Sequence, residues 1–188
     1  LFVGDLEKEQ AYVTVGFDAP LMADEQRYAL DVLSAILSGQ GGRLFYELRD
    51  KQSLAYSVYA SSVVGIDASA FTVNIGTSPE KIVQAVDGIY EEVNKLHSGG
   101  VTEEEIERAK TFLIGNHDIG LQKNSSRAMS FALDELYGFG YSRTLEYSDK
   151  IASITSDDID ALIKTRLQLD TAVVAITKPE ATPVDLTL

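Results

Sequence analysis

The chain changes from a helical pattern to a strand pattern within the stretch Gly42-Arg-Leu-Phe-Tyr-Glu-Leu-Arg-Asp-Lys-Gln-Ser-Leu-Ala-Tyr-Ser-Val-Tyr59. Its first part predicts a short helix from about Arg43 to Lys51, and Ala55 to Val63 predicts a strand rich in Tyr and Val. Arg49 and Tyr56 therefore lie seven residues apart across a helix-to-strand junction. Such a pair can hold a peptide backbone, because a guanidinium offers five donors in a fixed fork and a phenol offers one more.

Two segments on either side of this stretch alternate apolar and polar residues, as half-buried strands do. The apolar positions are Val13, Val15 and Phe17 in residues 10–17, and Phe71, Val73 and Ile75 in residues 69–75. A final strand is predicted from Ala172 to Thr177. The alternation indicates a sheet with one apolar face and one polar face.

The other segments repeat apolar residues at helical spacing. Asp24 predicts one helix start, Ser78 followed by Pro79 a second, and the capping-box pair Thr102 and Glu105 a third. The predicted helices cover residues 24–37, 78–99, 102 onward, 125–137, 143–152 and 157–167. Strand pairs followed by long amphipathic helices predict an α+β fold, a two-layer α/β sandwich with helices packed on one face of a mixed, mostly antiparallel sheet. The uncovered face would then look into a cavity or onto a partner.

Composition places the chain among soluble globular proteins. Its 188 residues are 45% hydrophobic and 24% charged, enough for one domain with a core. A net charge of -13 argues against nucleic acid as a partner and suits a cationic peptide better, although acidic clusters usually serve solvation. The apolar runs are too short to span a membrane, and the absence of cysteine excludes disulfides and thiolate zinc sites. The compartment stays open, with cytoplasm or periplasm expected in a bacterium.

The histidines do not predict a metal site within this chain. His97 and His117 are twenty residues apart, and neither has a second histidine at helical spacing. A zinc hydrolase needs about three nitrogen or oxygen ligands and a water-activating carboxylate. His97, near a helix end, has a solvated or dipole-stabilised role as its plainer interpretation. We also find no Gly-x-Ser-x-Gly motif for a serine nucleophile.

Four segments together resemble the second domain of the pitrilysin family, the zinc peptidases that include insulin-degrading enzyme and mitochondrial processing peptidase. They are residues 9–20, 41–58, 76–81 and 100–110, and their order and spacing agree with the family. The resemblance implies a metallopeptidase-like half-shell domain, with the zinc and its H-x-x-E-H helix on a first domain outside these residues. Residues 1–188, which begin with Leu1 rather than Met, would then be a single C-terminal-type domain and a fragment of a longer chain.

The resemblance also implies roles for the junction residues. Arg49 and Tyr56 would bind the substrate, a peptide or unfolded polypeptide, and Tyr56 would act in catalysis by donating to the oxygen that becomes negative. A peptide could also add a strand to an exposed sheet edge. Zinc is expected in the complete assembly, on a domain of the same or another subunit, in a homodimer or heterodimer. This segment alone is predicted to bind no zinc and to be inactive.

Three interpretations therefore stand side by side. In the first, the domain completes the active site of a zinc-dependent endopeptidase; in the second, it belongs to a non-catalytic structural or helper subunit of the same family. The third is an acidic interaction domain unrelated to proteolysis, with Arg49 a cation at a helix C-terminus and Tyr56 an ordinary strand aromatic. Since a pure scaffold has no chemical need for both residues, the pair favours the first interpretation.

Overall fold

A mixed sheet with helices on one face forms the framework of the chain in a computed structural model, which describes residues 1–5, 7, 9–39, 41–180 and 182–183. The strands of this sheet are β1 (Phe2–Asp5), β2 (Ala11–Asp18), β3 (Ser57–Val63), β4 (Ala70–Thr77) and β5 (Val173–Lys178). Their spatial order is β1-β5-β2-β4-β3. β1 runs parallel to β5, and every other neighbouring pair is antiparallel. The predicted α+β fold with a mixed, mostly antiparallel sheet is therefore confirmed.

The helices follow the predicted boundaries to within a few residues. They are α1 (Gln26–Leu37), α2 (Ile82–Gly99), α3 (Glu103–Gly120), α4 (Asn124–Leu136), α5 (Arg143–Ser153) and α6 (Ser156–Arg166), with 3-10 turns at Pro79–Lys81 and Leu169–Thr171. Thr102 and Glu105 form the predicted capping box, and Asp24 Oδ1 accepts a hydrogen bond of 2.9 Å from the backbone nitrogen of Gln26. No helix among the described residues is both long and apolar enough to cross a membrane.

The core lies between the helices and one face of the sheet. The predicted apolar positions of β2 and β4 line it, each 0–5% exposed: Val13, Val15, Phe17, Phe71, Val73 and Ile75. They pack against buried side chains of the helices, among them Leu33 of α1 and Ile89 of α2. Apolar burial of this kind contributes roughly 25 cal/mol per Å². The two strand predictions are thus confirmed face by face.

The opposite face of the sheet is polar and hydrogen-bonded across strands. Tyr12 of β2 and Tyr59 of β3 join their hydroxyls at 2.7 Å, and Thr14 donates to Asn74 Oδ1 at 2.9 Å. Asn74 donates in turn to Thr72 at 3.0 Å. Asn74 is only 7% exposed although it lies on this face, because its neighbours enclose and satisfy it.

Candidate functional site

Gly42 begins the segment that carries Arg49 and Tyr56. Its backbone nitrogen donates to the Gly39 oxygen at 3.1 Å, which closes a turn directly after α1. A Cβ on Gly42 would overlap the carbonyl oxygen of Ser38 and lie 2.6 Å from that of Leu37. Only glycine therefore lets the chain leave α1 and start the next helix so abruptly.

A π-helix, Phe45–Lys51, follows this turn and continues the helical residues Arg43 and Leu44. The predicted short helix is confirmed in position, whereas its π geometry was not predicted. Leu48 anchors it in the core, and a Cβ on Gly88 of α2 would lie 2.7 Å from the Leu48 side chain. π-helical turns are rare and frequently occur at functional sites. The close contact at Gly88 fixes which side of the helix faces solvent.

The first turn of α3 holds the start of this helix through an ion pair. Arg43 donates to the Glu105 carboxylate in a bidentate arrangement, at 2.5 Å from Nε and 2.6 Å from Nη2. Arg108, one turn further along α3, donates to the Gly41 oxygen at 3.2 Å. The hydrogen bond from Arg43, aided by those from Thr102, lowers the pKa of Glu105 to about 2. Glu105 thus caps α3 and also holds Arg43 at the start of the π-helix.

A second group of charges holds the other end of the π-helix. Glu47 pairs with Lys51 at 2.7 Å and with Lys95 of α2 at 3.6 Å. Lys95 also pairs at 2.5 Å with Glu92, which is buried. The hydrogen bond from Lys51, together with the charge of Lys95, lowers the pKa of Glu47. Arg43, Glu47 and Lys51 are therefore occupied by partners within the domain.

Arg49 stands apart from these ion pairs. Its side chain is exposed, and its guanidinium carbon lies 4.7 Å from the centroid of the Phe45 ring, one turn earlier. Within the described ranges, no carboxylate lies at ion-pair distance from Arg49. The aromatic face supports the guanidinium plane, as Arg–aromatic stacking does, and leaves its donors available.

Tyr56 lies directly before β3 and is 59% exposed. Its backbone nitrogen donates to the Gly76 oxygen at 2.8 Å, which ties it to the end of β4. A Cβ on Gly76 would lie 2.9 Å from Ser57 Oγ, so a larger residue at position 76 would crowd the start of β3, next to Tyr56. The hydroxyl has no hydrogen-bond partner among the residues that the structure describes, so its proton is free to meet an oxygen from outside.

The loop between Arg49 and Tyr56 is fixed by backbone hydrogen bonds. Leu54 donates to Leu48 at 2.8 Å, and Ser53, with a φ of 51°, donates to Arg49 at 3.1 Å. Thr77 Oγ1 of β4 also donates to the Leu54 oxygen at 2.5 Å. Arg49 and Tyr56 are thus both exposed, one at each end of a loop that backbone hydrogen bonds hold in place. Their contact with a substrate stays a prediction.

The pairing of Tyr12 with Tyr59 is a feature of the neighbouring surface that the sequence did not predict. Burial, followed by the hydrogen bond to Tyr59, raises the pKa of Tyr12 to about 12. The two strands are not neighbours, since β4 lies between them with Gly76 opposite Tyr12. Period-two alternation places Tyr12 on the polar face but gives neither the strand order nor the register that the contact needs.

Neither histidine fits a metal site. His97 Nε2 lies 2.8 Å from the Leu167 oxygen, and His117 Nε2 lies 2.9 Å from the Thr144 oxygen. Among the described residues, no group of three or more His, Cys, Asp or Glu side chains could hold a metal ion. Since these side chains do not suit zinc, we assign no chemical step in this chain to a metal. That the chain binds no zinc stays a prediction.

Comparison with known proteins agrees with the fold, and the family match includes the segment that carries Arg49 and Tyr56. The sequence model of the family described as Peptidase M16 inactive domain matches residues 2–113. An uncharacterized zinc protease of Streptomyces coelicolor is 32% identical over 157 residues, which are 83% of this chain and 34% of that protein. The chain thus spans about a third of the length of the first curated relatives that it matches.

Solved structures share the fold at lower identity. A protease from Helicobacter pylori gives a TM-score of 0.85 at 23% identity, over 94% of this chain and 43% of that one. A peptidase M16 inactive domain from Pseudomonas fluorescens gives a TM-score of 0.85 at 19% identity, over 98% of this chain and 44% of that one. The resemblance to pitrilysin-type zinc peptidases is confirmed, and the chain belongs to the peptidase M16 family as the domain that the family description calls inactive.

Proposed function

We propose that this chain contacts the substrate in a zinc-dependent endopeptidase that degrades or processes peptides, while the zinc lies on another domain. Residues 1–188 would form one domain of a longer polypeptide. The support is that relatives called zinc proteases are about three times as long as the matched part, and that the described residues do not suit zinc.

One observation carries the proposal: Arg49 and Tyr56 expose unused donors on a segment in which three other charged residues, Arg43, Glu47 and Lys51, are paired. Arg43, Glu47 and Lys51 are held by α3, by α2 or by one another. Both groups are exposed and hydrated, so a ligand can reach them by displacing water. Groups that are braced yet unpaired suit a ligand that arrives from outside the domain.

The chemistry of the two groups differs. The Arg49 fork can donate to carbonyl oxygens of an extended peptide and so set its direction. The Tyr56 hydroxyl can donate to the scissile carbonyl oxygen as this oxygen becomes negative, and its hydrogen bond strengthens as the charge grows. Losing a donor of this kind typically costs roughly 3 to 4 kcal/mol of barrier. Water activation belongs to the other domain in this proposal.

Strand addition to β3 is a less suitable binding mode in this domain. β3 is an edge strand, but Ser38 Oγ donates to the Ala60 oxygen at 2.9 Å and accepts from the Ala60 nitrogen at 2.8 Å. The side chain at the end of α1 thus occupies the backbone groups in the middle of this edge. Such blocking is a common protection of edge strands. We therefore assign peptide contact to Arg49, Tyr56 and the polar sheet face rather than to this edge.

The test is hydrolysis of a fluorogenic peptide by the longer polypeptide, with Arg49→Ala and Arg49→Lys. We expect chelator-sensitive hydrolysis in the unaltered protein. In Arg49→Ala, kcat/KM should fall roughly tenfold to a hundredfold, since a charged hydrogen bond contributes about 1.5–3 kcal/mol. Arg49→Lys should recover only part of this loss, because an ammonium keeps the charge but not the fork.

The matched control is Lys164→Ala, which removes an exposed cation on α6, away from the segment, and should leave kcat/KM unchanged. Hydrolysis that is insensitive to Arg49→Ala would contradict the binding role. Absence of hydrolysis in every preparation would instead favour the structural or helper subunit.

A further inference from the structure

Helix α4 presents its apolar side to solvent. Met129, Leu133 and Leu136 follow one another at intervals of four and three residues, so they share one side of the helix. They are 61%, 39% and 75% exposed. No residue of α4 is buried. We refer to these three residues as the α4 stripe.

If α4 packed only within its own domain, its apolar side would be expected to face the core. An amphipathic helix on a stable domain turns its apolar side to the core and its polar side to water. On the other side of α4, Asp134 accepts a hydrogen bond of 2.5 Å from Thr144 Oγ1 of α5, and the half-buried Phe131 ring lies 6.0 Å from that of Tyr141. The stripe lies away from these contacts.

The size of related proteins indicates what covers the stripe. The Pseudomonas fluorescens structure shares the fold over 98% of this chain, so α4 belongs to the shared fold, yet the match is only 44% of that protein. More than half of such a protein therefore lies beyond the part that this chain represents. A second copy of this chain is a weaker candidate, because two surfaces of chains with a net charge of -13 repel each other.

We propose that the α4 stripe packs against the remaining part of the longer polypeptide, the part that the proposed function takes to carry the zinc. The inference rests on that proposed function only for the identity of the partner. Docking within one polypeptide has a high effective concentration, so a stripe of three apolar side chains suffices without a large separate interface.

The absence of cysteine in this chain permits a direct test by thiol labelling. Leu136→Cys places a thiol in the stripe, and Ala128→Cys is its control, exposed on the same helix but outside the stripe. Each variant is prepared in the longer polypeptide and in the 188-residue chain, treated with a maleimide, and followed by mass spectrometry of the α4 peptide. Circular dichroism checks that each preparation is folded.

In the longer polypeptide we expect the Leu136→Cys thiol to react on the order of tenfold or more slowly than the Ala128→Cys thiol, because a covered thiol reacts only when the interface opens. In the 188-residue chain the two thiols should react at similar rates. Equal rates in the longer polypeptide would overturn the inference. Protection in the 188-residue chain that grows with concentration, with a dimer by light scattering, would overturn it in favour of a second copy.

The labelling result is separate from catalysis. Protection of the stripe in a protein whose hydrolysis does not depend on Arg49 would sustain the docking surface and reject the proposed site. Loss of protection in a protein whose hydrolysis does depend on Arg49 would do the reverse.

Discussion

At the scale of single residues, Arg49 and Tyr56 are available because Arg43, Glu47 and Lys51 of the same segment pair with other residues of the domain. Leu48, between the clamped charges, is buried against α2, and the next residue, Arg49, is thereby directed to solvent. Tyr56 is set by its backbone bond to Gly76 rather than by its ring. Since neither side chain is needed for burial, substitutions of both can be interpreted as changes in binding or chemistry rather than in folding.

Gly42 is the residue whose substitution should disturb the segment most. Gly42→Ala places a methyl group against two carbonyl oxygens, so the free energy of unfolding should fall by about 2 to 4 kcal/mol, measured by urea denaturation. Its neighbour provides a matched control, because a Cβ on Gly41 meets nothing within 4 Å. Equal effects of Gly41→Ala and Gly42→Ala would show that backbone freedom, rather than close packing, explains the glycines here.

At the scale of elements, the Arg43–Glu105 pair connects α3 to the start of the π-helix. The folded-state pKa of Glu105 lies at about 2, below its ordinary value of 4.5, because Arg43 and Thr102 donate to the carboxylate. A lowered carboxyl pKa stabilises the fold above the unfolded-state pKa, and this contribution is lost as the pH falls towards the folded-state value. The pair should therefore matter at neutral pH and lose its effect in acid.

Glu105→Gln should reveal that dependence. At pH 7 we expect it to lower the free energy of unfolding by about 1 kcal/mol, since the pair is partly exposed and screened by water. The difference from the unaltered chain should shrink between about pH 5 and pH 2. Glu104→Gln, in the same helical turn, is the control and should change stability by only a few tenths of a kcal/mol. A gap that stays constant down to pH 2 would exclude the ion pair as its cause.

Elements were easier to predict from the sequence than the contacts between them. Period-two and helical spacing predicted β2, β4 and the principal helices, and Thr102 with Glu105 marked the start of α3. β1 was missed, because its four residues are all exposed and it is held by parallel pairing with residues of β5 that lie 173 positions further along the chain. The π geometry of Phe45–Lys51 was missed because π turns are rare and a segment of seven residues is too short for its apolar spacing to distinguish them from an α-helix.

For the candidate site as well, single residues could be predicted from the sequence, but the contacts between them could not. Arg49 and Tyr56 were identified from the sequence through a family resemblance, because side-chain chemistry and spacing alone left a structural interpretation open. The Arg43–Glu105 and Glu47–Lys95 ion pairs, the Ser38 contact with Ala60 and the Tyr12–Tyr59 pair depend on how remote elements pack. No local pattern encodes these contacts, since each joins residues at least 22 positions apart.

At the scale of the whole molecule, two surfaces of the described residues matter for the proposals. One is the polar sheet face, with the segment that carries Arg49 and Tyr56 leading into its edge strand β3, and the other is the α4 stripe. The polar sheet face suits reversible binding of a peptide, since it offers hydrogen bonds without exposing a large apolar area. The second suits a permanent contact within a longer polypeptide. Together they support the proposal that this domain completes an assembly rather than works alone.

The most direct test of this account compares Tyr56→Phe with Tyr46→Phe in the longer polypeptide during chelator-sensitive hydrolysis of a fluorogenic peptide. Tyr46 is a second exposed tyrosine of the same segment, with Lys51 Nζ 4.5 Å from its ring centroid, and its hydroxyl has no proposed role. If Tyr56 donates to the developing oxyanion, Tyr56→Phe should lower kcat by about a hundredfold to a thousandfold with little change in KM, and Tyr46→Phe should leave both unchanged. Equal kcat in the two variants would contradict the proposal that this domain supplies a catalytic group.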